Sequence, residues 1–303
     1  MRTRVPWKFA ANPFVVMTDI TIALAFVMFG YYLANAATAQ QLRERIERYE
    51  ADRDRKLVQV ANRVADAVAE ALGPGYVVDR YQEVVGEGIQ RAKVSEKRAS
   101  VIAAVGRPGE VPFLQIDRNE TLMRLRLYGM EFEPGRPELR NPQEVGAVLR
   151  AVVDNVSEAL IGTSYLYVHG IASESDGPDE RACLAASRSF ADLVLGELKR
   201  LGLIVTRNLS EKEKEKAKEA MPASLKAISE QYQGDETVVW LDGRLRVHPS
   251  FAIAYGTGTM LYVDPERTTV RDGSRRRTVR VSPRGRADLV FFFRTPNLKN
   301  LNL

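Results

Sequence analysis

A single acid, Asp19, interrupts the one stretch of this chain apolar enough to suggest a membrane crossing, Pro13 to Ala34, which holds no Lys, Arg or second carboxylate. An ionised carboxylate in hydrocarbon costs roughly 2.5 to 3.5 kcal/mol even on lenient insertion scales, so it is expected to be protonated or partnered. Asp19 is therefore the candidate ion carrier. The 22 residues of the stretch reach about 33 Å as a helix, enough for a bilayer core. Arg2, Arg4 and Lys8 precede it and Leu33 to Gln41 is uncharged, so the positive-inside bias predicts a cytoplasmic N-terminus. A cleavable secretory signal is the rival reading, since Ala37-Thr38-Ala39 resembles a processing site. Against it, the apolar run exceeds the roughly 7 to 15 residues of a signal core and contains an acid.

On a helix, Asp19, Ala23, Gly30 and Ala34 share one side at spacings of four, seven and four. Small residues in such a stripe allow close backbone approach, which would turn the acid toward a protein seam rather than lipid. The plainer alternative is an Asp that joins two helices through a hydrogen bond.

The whole chain has 303 residues, 45% hydrophobic and 27% charged, enough for one or two folded domains plus appendages. Cys183 is the only cysteine, which excludes an intrachain disulfide, and with only His169 and His248 a histidine metal site is not expected. The net charge of +5 is local: Arg271, Arg275, Arg276, Arg277, Arg280, Arg284 and Arg286 crowd one segment. That cluster lacks interleaved aromatics and a recognisable reading module, so no nucleic-acid partner is expected.

From Gln40 to Leu72 apolar residues recur at helical spacing (Leu42, Ile46, Tyr49, Leu57, Val60, Val64, Val68 and Leu72), which predicts a long amphipathic stalk ended by Gly73-Pro74-Gly75. Between Tyr76 and Asn119 only a short strand at Tyr76 to Val78 stands out. A more regular domain opens near Thr121, where Met123, Leu125 and Leu127 alternate with Arg124, Arg126 and Tyr128, the period of a strand with one buried face. Asn141-Pro142-Gln143-Glu144 predicts an N-cap and a helix through about Leu160. Tyr165 to Val168 is a strand, and Asp179 to Leu201 a second helix. Ser210 with Glu213 forms a capping box at the head of an exposed, charge-alternating insertion. Phe251 to Tyr255 and Leu289 to Phe293 complete the strands, the last apolar on both faces and so central in its sheet.

Three places resemble the OmpA/MotB-type peptidoglycan-binding family: RLRLYGMEFEPGRPEL with Phe132, Gly135 and Leu139; Val168 to Ser189 with Gly170, Leu184 and Arg188; and GRADLVFFF after Arg286. PFVVMTDITIALAFVMF is likewise similar to the acid-bearing helix of MotB-like stator subunits, with Asp19 in the ion-carrying position. The resemblance implies an α+β fold: residues 1–12 cytoplasmic, a transmembrane helix at 13–37, a periplasmic stalk and linker at 38–120, and an OmpA-like α/β sandwich at 121–303 with an insertion at about 206–249. It implies a single-pass protein of the bacterial inner membrane, a wall-anchored ion-driven motor subunit of flagellar or Zorya anti-phage type. Its partners would be peptidoglycan, the bilayer and a MotA-like (ZorA-like) multi-helix subunit, five copies around a dimer of this chain. Transported H+ or Na+ would take the place of a cofactor.

The wall site implied by the resemblance comprises Arg188, Arg181, Leu184, Ser173 and Asp176. The family uses an Asp with an Arg to grip the ionic groups of diaminopimelate; here Ser173 stands where that Asp belongs, and Asp176 or Asp179 is the nearest carboxylate. The alternative for Arg188 is a surface pair with Asp192 one helical turn on. A passive membrane-to-wall tether and a secreted wall-binding protein are the competing functions. An enzyme is not expected, because no nucleophile and base, phosphate loop or metal spacing stands out.

Overall fold

The computed structural model describes residues 13–294 apart from 86–87, 92–99, 120, 208, 230–236, 258–266, 273–274 and 282–284. The expected cytoplasmic segment 1–12 lies outside them. Residues 1–53 form one compact unit and residues 54–303 another.

A single helix, α1, runs from Pro13 to Leu72. In the first unit its side chains from Leu24 to Ala34 are exposed, Phe26 to 72% and Val27 to 71%. Among the described residues, however, no helix is long and apolar enough to cross a membrane. The apolar side chains of α1 give way to Asn35, Thr38, Gln40 and Gln41 along the same helix. The transmembrane helix expected at 13–37 is corrected accordingly. So are the single-pass inner-membrane location, the periplasmic placement of the domain, and the membrane, ion-transport, motor and antiviral-defence character read from that helix.

In the second unit α1 changes role. Leu57, Val58, Val60, Ala61, Val64, Ala65 and Val68 are all buried in the main core, so the last turns are a core element rather than a free stalk. Arg63 pairs with Glu158 at 2.6 Å, and Arg80 pairs with Asp66. Gly73, at φ +86°, ends the helix by bonding back to the carbonyls of Ala69 and Glu70.

The strands are β1 (Val77–Arg80), β2 (Gln82–Val85), β3 (Gly88–Arg91), β4 (Ser100–Gly106), β5 (Leu114–Arg118), β6 (Leu122–Arg126), β7 (Thr163–Ile171), β8 (Val238–Leu241), β9 (Arg244–Val247), β10 (Ala252–Gly256), β11 (Arg267–Asp272), β12 (Arg275–Arg280) and β13 (Arg286–Phe293). Seven of them make one sheet in the order β1-β4-β5-β6-β13-β7-β10, and the rest pair as three two-stranded ribbons. β13 is central, antiparallel to both β6 and β7, while β10 runs parallel to β7 at the sheet edge. Its position accounts for its composition: Leu289 and Phe291 enter the core on one face while Val290 is buried on the other. The sheet also extends through β1, β4 and β5, so the compact domain begins well before residue 121.

The remaining helices are α2 (Pro142–Asn155), α3 (Glu180–Arg200), α4 (Glu211–Ala220) and α5 (Ala223–Ser229). Val145, Val148, Leu149, Val152 and Val153 of α2, and Cys183, Ala186, Phe190, Ala191, Val194 and Leu198 of α3, are buried in the core. Full burial of each large apolar side chain contributes about 1.5 to 3 kcal/mol. Asn141 precedes α2 but makes no side-chain cap: its Nδ2 donates to the Gly129 carbonyl at 2.8 Å, so it ties the preceding turn to the helix instead. The capping box of Ser210 and Glu213 forms as the spacing predicts.

Candidate functional site: one end of the sheet

β7 ends at Ile171, and the chain crosses to α3 through a short 3-10 turn, Glu174–Asp176. Asp176 organises this crossing. Its Oδ2 accepts from the Ser173 amide at 2.6 Å and from the Ser173 hydroxyl at 2.7 Å, and its Oδ1 accepts from the Gly135 amide at 3.3 Å. Asp179 then caps α3 by accepting from the Ala182 amide at 2.8 Å.

Gly135 sits in the turn that follows Phe132. Its φ of +67° belongs to the left-handed region that favours glycine, and a Cβ there would lie 3.0 Å from the Asp176 carbonyl oxygen. Phe132 stacks on Phe190 of α3 with centroids 4.1 Å apart and planes 9° from parallel, and it pairs with Leu139 across the turn. The Phe132 amide donates to the Gly285 carbonyl at 3.3 Å, one residue before β13. The three segments singled out in the sequence therefore meet at one end of the sheet.

α3 comes unusually close to the sheet. A Cβ at Gly170 would lie 1.7 Å from the Ser187 carbonyl oxygen, so only glycine admits the helix at that distance. This contact turns Ser187 inward and leaves the neighbouring Arg188 exposed. Arg181 and Leu184 are exposed too, and spacings of three and four place all three on one face of α3. Arg188 forms no ion pair with Asp192 among the described residues.

The five expected wall residues thus divide. Arg181, Leu184 and Arg188 form an exposed stripe, whereas Ser173 and Asp176 are buried and engaged with each other. The exposed acids beside the stripe are Glu174, Asp179 and Glu180, which the sequence reading left out, apart from Asp179. Charges of both signs therefore face solvent across the start of α3. Cys183, buried beneath it, has its thiol pushed up by burial and then by the nearby Asp176 and Asp179 carboxylates, which keeps it protonated and a poor nucleophile.

Arg286, the basic residue ahead of the closing strand, is buried. It donates to Asp288 at 3.1 Å and lies over the Tyr128 ring at 4.8 Å, so it serves the sheet rather than a ligand. The arginine-rich segment forms the β11–β12 ribbon, in which Arg276 donates to Asp79 at 2.8 Å and stacks on Tyr81. His169 holds an ordinary strand hydrogen bond, Nε2 to Thr257 Oγ1 at 2.8 Å.

The seam expected on α1 is only partly visible. The side chains of Asp19 and Ala23 lie outside the described residues, and Gly30 and Ala34 are exposed in the first unit. No group of three or more His, Cys, Asp or Glu residues suited to a metal ion occurs among the described residues. No protein-family model, curated protein or solved structure matches this chain.

Proposed function

We propose that the chain is a wall-anchored subunit of a two-component assembly. Its C-terminal unit would hold the peptide part of peptidoglycan at the exposed stripe of α3, and its N-terminal helix would meet a helical partner of the MotA-like kind. The observation that carries the wall reading is the exposure of Arg181 and Arg188 on one face of α3, with Glu174 and Asp179 exposed in the turn that leads into it. A diaminopimelate side chain carries an ammonium and a carboxylate together, and exposed side chains of both signs complement the two ends. A guanidinium grips a carboxylate through two parallel bonds, each charge-assisted bond contributing roughly 1.5 to 3 kcal/mol.

Asp176 contributes by holding the loop in place, not by touching ligand. The partner reading is supported by the exposed apolar run of Leu24, Phe26, Val27, Met28 and Phe29, since soluble monomers rarely leave so continuous a patch uncovered. The ion-carrying role of Asp19 rests on a side chain outside the described residues and forms no part of this proposal.

The test is co-sedimentation of the full chain with purified sacculi. Wild-type protein is expected in the pellet and the Arg181→Ala/Arg188→Ala double variant in the supernatant. Equal pelleting of both, with folding confirmed by circular dichroism, would reject the wall reading.

A further inference from the structure

The sheet has a second face, turned away from the α3 core, and at its β7–β10–β13 edge it is aromatic. Tyr165, Tyr167, Tyr255 and Phe292, with Ser164, line an open cavity of about 220 Å³. The rings stand as walls rather than as a stack: Tyr167 meets Tyr255 at 89° with centroids 5.4 Å apart and Phe292 at 78° and 5.1 Å, while Tyr165 is tilted 46° to Tyr167. Strand alternation and register bring them together, because Tyr165 pairs with Phe292 across β7 and β13, and Tyr255 follows from β10.

Three properties fix what such a cavity takes. Among the described residues no charged side chain lines it, so it is not built for an ion. Among the described residues no hydrogen bond engages the hydroxyls of Tyr165, Tyr167 and Tyr255, and none of the three residues is buried, so the phenols are open to the hydroxyls of a ligand. Tyr165 remains 40% exposed. We propose that this cavity is a binding site for a single pyranose ring of a neutral sugar or glycan, with ring C–H groups against the aromatic faces and sugar hydroxyls on the three phenols.

Two other occupants fit less well. A flat base or indole needs a parallel slot, and none of these ring pairs is parallel. A quaternary ammonium suits an aromatic cage, but the side chains that line this cavity offer it no carboxylate as counter-charge. The site lies on the sheet face opposite α3 and stands independently of the peptide reading above.

The experiment titrates the full chain with N-acetylglucosamine tetramer and, separately, with tetramethylammonium, read by tyrosine fluorescence and NMR. Wild-type protein is expected to bind the oligosaccharide. Tyr165→Ala, at the exposed rim, should weaken binding about tenfold, a loss of about 1.4 kcal/mol; Tyr167→Phe should weaken it less, and Lys218→Ala, on the exposed surface of α4, should leave it unchanged. No oligosaccharide binding by wild type, binding insensitive to both tyrosine changes, or a response to tetramethylammonium alone would overturn the proposal.

Discussion

Asp176 holds Ser173 twice, through its backbone amide at 2.6 Å and its hydroxyl at 2.7 Å. The position at which the resembled family would place a carboxylate is thus occupied by a donor to a carboxylate three residues later. The Asp176 carboxylate is turned inward, where it fixes the crossing from β7 to α3. Asp176→Ala removes these bonds and leaves the buried Ser173 amide unsatisfied, so urea denaturation should show a loss of roughly 1.5 to 3 kcal/mol. A loss below about 0.5 kcal/mol would mean that other contacts hold the loop.

Gly135→Ala tests the other side of that contact. The left-handed backbone costs a non-glycine residue about 1 to 2 kcal/mol, and the added Cβ would press on the Asp176 carbonyl oxygen at 3.0 Å. The midpoint of thermal unfolding should fall, with amide shifts concentrated at residues 173–179. Gly109, also at positive φ but with open space around it, supplies the control, since alanine there adds backbone strain without the clash.

The exposed insertion carries a pH signature. Glu213 is pulled down to about 2, first by its bond to Arg207 and then by the Ser210 amide and hydroxyl that it caps. A carboxyl whose folded value lies below its unfolded one stabilises at pH above the unfolded value, and that contribution is lost as pH falls through the folded value. The cap of α4 should therefore stay intact at pH 4 and open only near pH 2. Carbon-detected titration of the Glu213 carboxyl checks this, and Arg207→Ala should move the midpoint up. Because Arg207 is exposed and Glu213 partly so, salt should weaken the effect.

Much of the fold was legible from local pattern. The alternation of Met123, Leu125 and Leu127, the two-sided apolar run of β13 and the box at Ser210 each carry their own cause in a few neighbouring residues. β4 and β5 do not. β5 buries Gln115, Asp117 and Arg118; Thr268 and Asp54, which pair with Gln115 and Arg118, lie far off in the chain, and Arg126 reaches Asp117 from the neighbouring strand β6, so its polar residues read as exposed until the pairing is known. The seam of α1 from Leu57 to Val68 was visible as a helix face, but nothing local distinguishes a face buried in its own domain from one along a stalk. At the candidate site, Arg188 and the Phe132–Gly135 turn were singled out in the sequence, and the structure shows an exposed Arg188 on α3 and a turn at Gly135 with positive φ. The inward role of Asp176 and the stacking of Phe132 on Phe190 required the tertiary contacts themselves.

The wall reading turns on Arg188 recognising a carboxylate with a planar, two-pronged donor, a geometry that lysine cannot reproduce. The most direct measurement is the dissociation constant of a soluble diaminopimelate-containing stem peptide for wild type, Arg188→Lys and Arg188→Ala, each with an unchanged unfolding midpoint. The account predicts binding by wild type and a weakening of about tenfold or more in both variants, equivalent to at least about 1.4 kcal/mol. Equal affinities across the three proteins would contradict it.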